Sequence, residues 1–307
     1  MYKNFFNKNM GFKKIKKKYI LISIMVAKED KYIPIVRWVG SKKRIIDKII
    51  DNVPEEFNNY YEPFVGGAIV FLYMPYKNKV YLNDYNKNVM NLYKCIKKSH
   101  ENLIKKVAKN EKMYLESKNK KDVFLDFREK FNKLINKYNI DKAALYISIN
   151  KTSFNGLFQI NKHGILTSAF ANVQNPRFYK KEQIEKFSKK LKGVKLTSVD
   201  YYDALETAEK GDFVYLDPPY VPDDLSNYNM NYSKGEWDKD DFLDLVKMVK
   251  KLDDRGCYVM LSNSDSKFIR KHFPKKEYRI IKIPIHRSLS PNVKFRGYQN
   301  ELLIMNY

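Results

Sequence analysis

Gly211-Asp212-Phe213-Val214-Tyr215-Leu216-Asp217-Pro218-Pro219-Tyr220 is the stretch on which the architecture of this 307-residue chain turns. Phe213 to Leu216 is a short run of β-branched and aromatic residues, the pattern of a buried strand. It stops at an acid, two prolines and a ring. Neither proline can donate to a sheet ladder, and Pro218 disfavours helix at Asp217, so the chain leaves the sheet there. The outcome is a stiff loop at the carboxyl end of a strand, presenting a carboxylate, a carbonyl and an aromatic ring. Open α/β sheets bind ligands at that edge. Asp and Pro are also common turn residues, so the stretch alone also reads as an ordinary strand exit.

Working outward, the upstream sequence holds two further strand ends of the same kind. Tyr60-Tyr61-Glu62-Pro63-Phe64-Val65-Gly66-Gly67-Ala68-Ile69-Val70-Phe71 reads as a strand, a tight glycine turn and an apolar helix. Adjacent glycines let a backbone approach a ligand closely, although these lack the spacing of the dinucleotide fingerprint. Val80-Tyr81-Leu82-Asn83-Asp84-Tyr85-Asn86 is a second strand ending in an acid. In nucleotide-binding βαβ units an acid about 20 residues beyond the glycine turn accepts ribose hydroxyls. The alternative for Asp84 is an N-cap for the helix that begins near Lys87. Before both, Ile35-Val36-Arg37-Trp38-Val39-Gly40-Ser41-Lys42 leads into a helical pattern from Ile45. A Gly-Ser-Lys turn opening a helix offers free amides and a cation to a carboxylate or phosphate.

Downstream, strands alternate with helices again. Val194 to Asp200 reads as a strand, Asp240 to Leu252 as an amphipathic helix, and Cys257 to Leu261 as a buried strand running into Ser262-Asn263-Ser264. Arg279 to Ile285 and Asn300 to Asn306 are the last two strands. The loop between them carries His286, Arg287, Lys294 and Arg296, a set suited to phosphates.

Between these two α/β blocks the pattern changes. From Lys94 to Lys151 the chain is lysine-rich with helical periodicity, Phe124, Phe127 and Phe131 marking one apolar face. Asn150-Lys151-Thr152-Ser153-Phe154-Asn155-Gly156-Leu157-Phe158-Gln159-Ile160-Asn161-Lys162-His163-Gly164 then breaks the helix, with Asn-Gly and His-Gly turns on either side of a β-hairpin arm. Its amides, cations and rings can read base edges and wedge a duplex.

The formal net charge is +24. It favours a polyanionic partner, nucleic acid first, unless it reflects only a lysine-rich codon bias. Aromatic residues make up 15% of the chain, too many for a disordered basic tail. Cys95 and Cys257 are far apart, and four scattered histidines complete no metal-ligand spacing, so no metal is expected and a reducing, cytoplasmic compartment is. Residues 1–30 combine lysines with a short apolar run, Tyr19 to Ala27. A bilayer needs about 20 apolar residues, so the segment is read as an extension with Met25 as the working start, and no membrane partner is expected.

Taken in order, Arg-Trp-Val-Gly-Ser-Lys, Glu-Pro-Phe-Val-Gly-Gly, Asn-Asp-Tyr-Asn and Asp-Pro-Pro-Tyr resemble the motifs of the Dam-type DNA adenine-N6 methyltransferases. Phe154-Asn155-Gly156, Leu261-Ser262-Asn263 and Glu301-Leu302-Leu303-Ile304 extend the resemblance from about Ile35 to Tyr307. It implies an α/β, Rossmann-like S-adenosylmethionine methyltransferase sheet with an inserted, mainly helical target-recognition domain. Residues 31–93 and 194–307 would form the catalytic domain and 94–193 the insert. The implied cofactor residues are Trp38, Gly40, Lys42, Phe64, Gly66, Gly67, Asp84, Asp200, Tyr201 and Asp217. Asp217, Pro218, Pro219 and Tyr220 would form the catalytic loop. Duplex DNA would meet Arg37, Asn155, Gln159, Asn161, Lys162, Arg287 and Arg296.

Three departures bear on this. Ala68 stands where many relatives have glycine. Gln159 takes a place often held by arginine, and Ile165-Leu166-Thr167-Ser168 replaces the usual Phe-Asn-Val-Pro. GATC is therefore the first expectation for the target, with another short site as the alternative. The expectation is a monomer, working either beside a restriction endonuclease or in a Dam-like role. Cytosine-N4 relatives usually carry Ser in place of Asp217, RNA or protein-glutamine enzymes Asn, and a non-catalytic DNA-binding relative would not need the loop intact.

Overall fold

The computed structural model describes residues 32–161, 163–220, 230–231, 236–287 and 297–307. The readings made for residues 1–30, Lys162, Lys294 and Arg296, and for the side chain of Arg287, lie outside the described residues.

Seven strands make one sheet: β1 (Tyr60–Glu62), β2 (Val80–Asn83), β3 (Lys195–Thr197), β4 (Phe213–Leu216), β7 (Tyr258–Ser264), β8 (Arg279–Arg287) and β9 (Gly297–Met305). Their spatial order is β3-β2-β1-β4-β7-β9-β8, and a separate two-strand ribbon joins β5 (Met230–Asn231) to β6 (Glu236–Trp237). The first five strands of that order run parallel, while β9 is antiparallel to both β7 and β8. The chain therefore winds outward from β1 in one direction and from β4 in the other. The crevice at the carboxyl ends of β1 and β4 is the topological switch point, where sheets of this kind hold ligands.

Strand β4 shows why the sheet is covered on both faces. Phe213 and Tyr215 join one apolar core, Val214 and Leu216 the other, as the two-residue period of a strand requires. One layer is α8 (Lys239–Asp254), started by a capping box between Asp238 and Asp241, with Phe242, Leu245, Val249 and Leu252 facing the sheet. On the other face lie α1 (Ile46–Ile50) and α2 (Ile69–Tyr73), and the core continues without interruption into the helices between β2 and β3.

Those helices are α3 (Lys87–Glu116), α4 (Lys120–Lys133), α5 (Ile140–Thr152) and α6 (Lys181–Lys190). Asn86, Asn119 and Asn139 cap the first three by accepting backbone N–H groups. Helix α3 is broken at Ser99 (φ −152°), and it starts before Lys94, the expected edge of the insert. Capping falls to Asn86 rather than Asp84, which frees Asp84 for other bonds. Two short helices, α7 (Tyr201–Ala204) and α9 (Lys267–His272), complete the described set. Among the described residues no helix is long and apolar enough to cross a membrane.

The β-hairpin expected after Asn150 takes a different form. Only isolated bridges pair its limbs, Ser153 with Phe170 and Ile160 with Leu166. Side chains have taken over bonds that a ladder would supply. Ser168 Oγ accepts from the Gln159 N–H (3.0 Å) and donates to the Leu157 carbonyl (2.8 Å), while Asn132 of α4 bonds both backbone groups of Leu166. Asn155 and Gly156 both adopt positive φ (53° and 69°), which turns the chain before a strand can establish itself.

Candidate active site

The Asp217–Tyr220 loop leaves β4 at the switch point and is met there by three distant segments. Lys42 lies in a short 3-10 turn, Lys42–Arg44, entered through Gly40 at positive φ (78°). Its Nζ is 2.6 Å from Asp217 Oδ1, 2.8 Å from the Tyr220 hydroxyl, 3.0 Å from the Gly40 carbonyl and 3.4 Å from Glu301 Oε1. The Tyr220 hydroxyl stands 2.7 Å from both carboxylate oxygens of Glu301, to which it donates, and Ser262 Oγ donates to Oε1 at 2.8 Å. Neither Glu301 nor Ser262 stood among the sequence-derived site residues. An acid at the head of the apolar run Leu302-Leu303-Ile304 was the one local signal for Glu301.

Burial differs across this cluster in a way that decides its chemistry. The Lys42 and Glu301 side chains are 3% and 1% exposed, whereas that of Asp217 is 22% exposed. Two sealed, opposite charges anchor the loop, and the carboxylate of Asp217 faces the crevice. Burial pushes the Asp217 carboxyl up to about 6, with Lys42 opposing and Glu301 adding to the rise. Burial disfavours the Lys42 charge, but the carboxylates of Asp217 and Glu301 outweigh it and hold the ammonium well above its usual range. Asp217 is thus ionised at neutral pH yet close enough to its midpoint to take up a proton. Tyr220 is raised by burial and stays a neutral donor, with Lys42 Nζ 4.7 Å from its ring centre.

The glycine turn forms the other wall. Gly66 is at positive φ (44°), and a Cβ there would come within 2.4 Å of the Trp38 indole, so only glycine fits beneath that ring. Gly67 packs on the same side chain. Ala68 takes a left-handed conformation (φ 58°) at the entrance to α2, one that glycine adopts without strain. Asp84 accepts from the Gly66 N–H (2.8 Å) and from the Asn86 N–H (2.9 Å), one on each oxygen. Burial lifts its carboxyl to about 6, offset in part by those two amides. Behind the turn, the buried Glu62 accepts from the Tyr60 hydroxyl at 2.7 Å and is pushed up to about 8, chiefly by burial.

An aromatic slot lies beyond Asp84. Phe64 and Tyr201 face one another at 5.4 Å, and Trp237 closes on both at 5.7 and 5.8 Å. The indole N–H of Trp237 is buried with no hydrogen-bond partner among the described residues. An indole donor packed against two rings suits a heteroaromatic ligand with an acceptor edge. Asp200 is exposed and caps α7 by accepting from the Tyr202 N–H (2.8 Å).

The residues expected to meet DNA divide into two groups. Arg37 is exposed, and its stem lies against Gly156, bringing it beside Asn155. Gln159 and Asn161 are also exposed but lie further along the arm, where Asn161 Oδ1 accepts from the His163 and Ile165 N–H groups and shapes the turn. Arg287 occupies the last position of β8.

Known proteins resemble this chain in sequence. The family described as D12 class N6 adenine-specific DNA methyltransferase matches residues 38–288, a span that takes in Lys42, the glycine turn, Asp84 and the Asp217–Tyr220 loop. The chain is 34% identical to the type II methyltransferase M.MjaIII of Methanocaldococcus jannaschii, over 89% of this chain and 99% of that protein. It is 30% identical to the type II methyltransferase M1.LlaDCHI of Lactococcus lactis subsp. cremoris, over 89% and 95%. The DNA adenine methylase of Escherichia coli K12 is 25% identical, over 88% and 94%. With the family matched across most of its length and its motifs gathered at one crevice, the chain belongs to the D12 class of N6 adenine-specific DNA methyltransferases.

Proposed function

We propose that the crevice at β1 and β4 binds S-adenosylmethionine, which supplies an electrophilic methyl group, and that the Asp217–Tyr220 loop holds the target adenine. The ordered contact of Lys42, Asp217, Tyr220 and Glu301 is the observation that carries this reading. The donor chemistry around the crevice fits the cofactor. Asp84 retains lone pairs for a ribose diol, and Phe64, Tyr201 and Trp237 suit a purine, with Asp200 nearby in sequence. Trp38, Gly40, Lys42, Gly66 and Gly67 would line its amino-acid end.

The exocyclic nitrogen of adenine is a poor nucleophile because its lone pair is delocalised into the ring. Asp217 and the Pro218 carbonyl would accept its two N–H bonds and favour a more pyramidal nitrogen. Asp217 Oδ1 is already bonded to Lys42, which leaves Oδ2 for the base. As positive charge grows on that nitrogen, a fixed carboxylate in a partly desolvated site stabilises it most. A carboxyl near 6 can then accept the proton that N6 sheds once the new N–C bond is made. Pro218 and Pro219 keep the acceptors in place. Tyr220, tethered through its hydroxyl, offers its ring to stack on a base flipped from the duplex.

Residues 94–193 would serve as the target-recognition domain, through Arg37 beside it and through Asn155, Gln159, Asn161 and Lys162 of the arm. Arg287 and Arg296 would bind backbone phosphate. GATC is the first candidate site, reached by a monomer in the cytoplasm. The naming of two relatives as type II methyltransferases supports a companion restriction endonuclease. Modified-base sequencing of DNA from a methylation-deficient host expressing the protein tests the reading. N6-methyladenine in one short motif is the expected result, and DNA without it overturns the proposal.

A further inference from the structure

Asn150 lies near the end of α5, is 1% exposed, and has no place in the chemistry above. Its Oδ1 accepts from the Arg37 N–H at 2.7 Å. Its amide nitrogen donates to the Arg37 carbonyl at 3.0 Å and to the Gly156 carbonyl at 2.9 Å. The orientation is forced, since a flipped amide would set N–H against N–H and oxygen against two carbonyls. One side chain thus pairs both backbone groups of Arg37, as a neighbouring strand would, and ties them to the arm.

The packing on either side gives this clamp its meaning. Gly156 is at positive φ (69°), and a Cβ there would stand 2.6 Å from Arg37 Cβ, so the Arg37 stem rests directly on the arm's turn. The next residue, Trp38, points to Gly66 and Gly67. With Arg37 on the arm's turn and Trp38 on the glycine turn, two consecutive residues join the arm to the cofactor-side wall.

We propose that Asn150 is a positioning residue for target selection, locking Arg37 and the Phe154–Gly156 turn into one base-reading unit. This rests on the reading of Arg37 and the arm as DNA contacts, and the test separates the two. Wild-type protein in a methylation-deficient host first defines the motif by modified-base sequencing; absence of N6-methyladenine there defeats the functional reading itself. With the motif in hand, Asn150→Asp keeps the shape but sets a carboxylate against two carbonyls. The expected result is a fall of about tenfold in the ratio of methylation at the motif to methylation at sites one base pair away. Cofactor affinity, read by quenching of tryptophan fluorescence, stays within about threefold. A folded variant with the wild-type ratio overturns the proposal.

Should Asn150→Asp fail to fold, Gly156→Ala disturbs the same junction from the other side, by pushing on Arg37. It is expected to relax the same base pair as Arg37→Ala. Relaxation at a different base pair, or wild-type selectivity in either of these two variants, also overturns the proposal. A purely structural role for Asn150 would lower the melting temperature without moving the motif.

Discussion

The Asp217 crevice and the arm are built by opposite means from different kinds of residue. In the crevice, charged and hydroxyl side chains from four segments bond mainly to one another, and the Lys42 and Glu301 charges are sealed from water. In the arm, neutral Ser168, Asn132 and Asn161 bond to backbone, while Phe154, Asn155 and Gln159 stay exposed. Charge-to-charge bonds in a dry site fix geometry strongly but tolerate little change. Side-chain-to-backbone bonds shape a loop and leave its outer residues replaceable. The first suits a reaction that does not vary, the second a target that does.

The largest expected break in that contrast is Asp217→Ala. Methyl transfer should fall by about a thousandfold or more, since a preorganised acceptor for developing charge is removed. Lys42 keeps Glu301 as a partner, so a cooperative thermal melt should persist; full activity in this variant would remove Asp217 from the chemistry. Glu301→Gln comes next. It retains the shape but loses the charge that fixes the Tyr220 hydroxyl and Lys42, and kcat should drop about 10- to 100-fold in single-turnover assays. Unchanged kcat would reduce the network to packing.

The pH profile sharpens the same point. In the proposed mechanism ionised Asp217 is the active form, so kcat/KM should fall about tenfold per unit below the inflection near 6 and level off above it. Glu301 raises that midpoint, so Glu301→Gln should move the inflection to lower pH; an inflection that stays put would contradict the coupling. Trp237→Phe should weaken cofactor binding about three- to tenfold by deleting one buried donor, as read by isothermal titration. Equal affinity would place the open N–H outside the cofactor site. Smallest in stability is Gln159→Ala: an exposed change, within about 0.5 kcal/mol by thermal melting, yet one that should alter the methylated motif.

What could be read from sequence follows the same division. The Asp217 loop, the Gly66-Gly67 turn and Asp84 depend on short local patterns, and all three stand at strand ends as expected. Glu301 and Asn150 depend on partners 81 and 113 residues away, and no local spacing reveals such a meeting. Trp237 was hidden for the same reason, its ring neighbours lying on other segments. The reversal expected of the arm is present as antiparallel bridges, but alternation and glycine turns do not indicate which groups satisfy its backbone. Ser168 and Asn132 answer that only once the fold is built.

The place of the helices within the sheet has a consequence for how the chain is made. Asn59, at the head of β1, bonds Asp212, at the head of β4, across 153 residues. On a ribosome adding about 5–20 residues per second, β1 waits roughly 8–30 seconds for its central neighbour. In that interval β1 and β2 expose unpaired edges, while the intervening helices, rich in short-range contacts, can already assemble. The helical block is thus the first part of the nascent protein able to fold. Closure of the sheet by β4 is the late step, and the one most exposed to misassociation while synthesis continues.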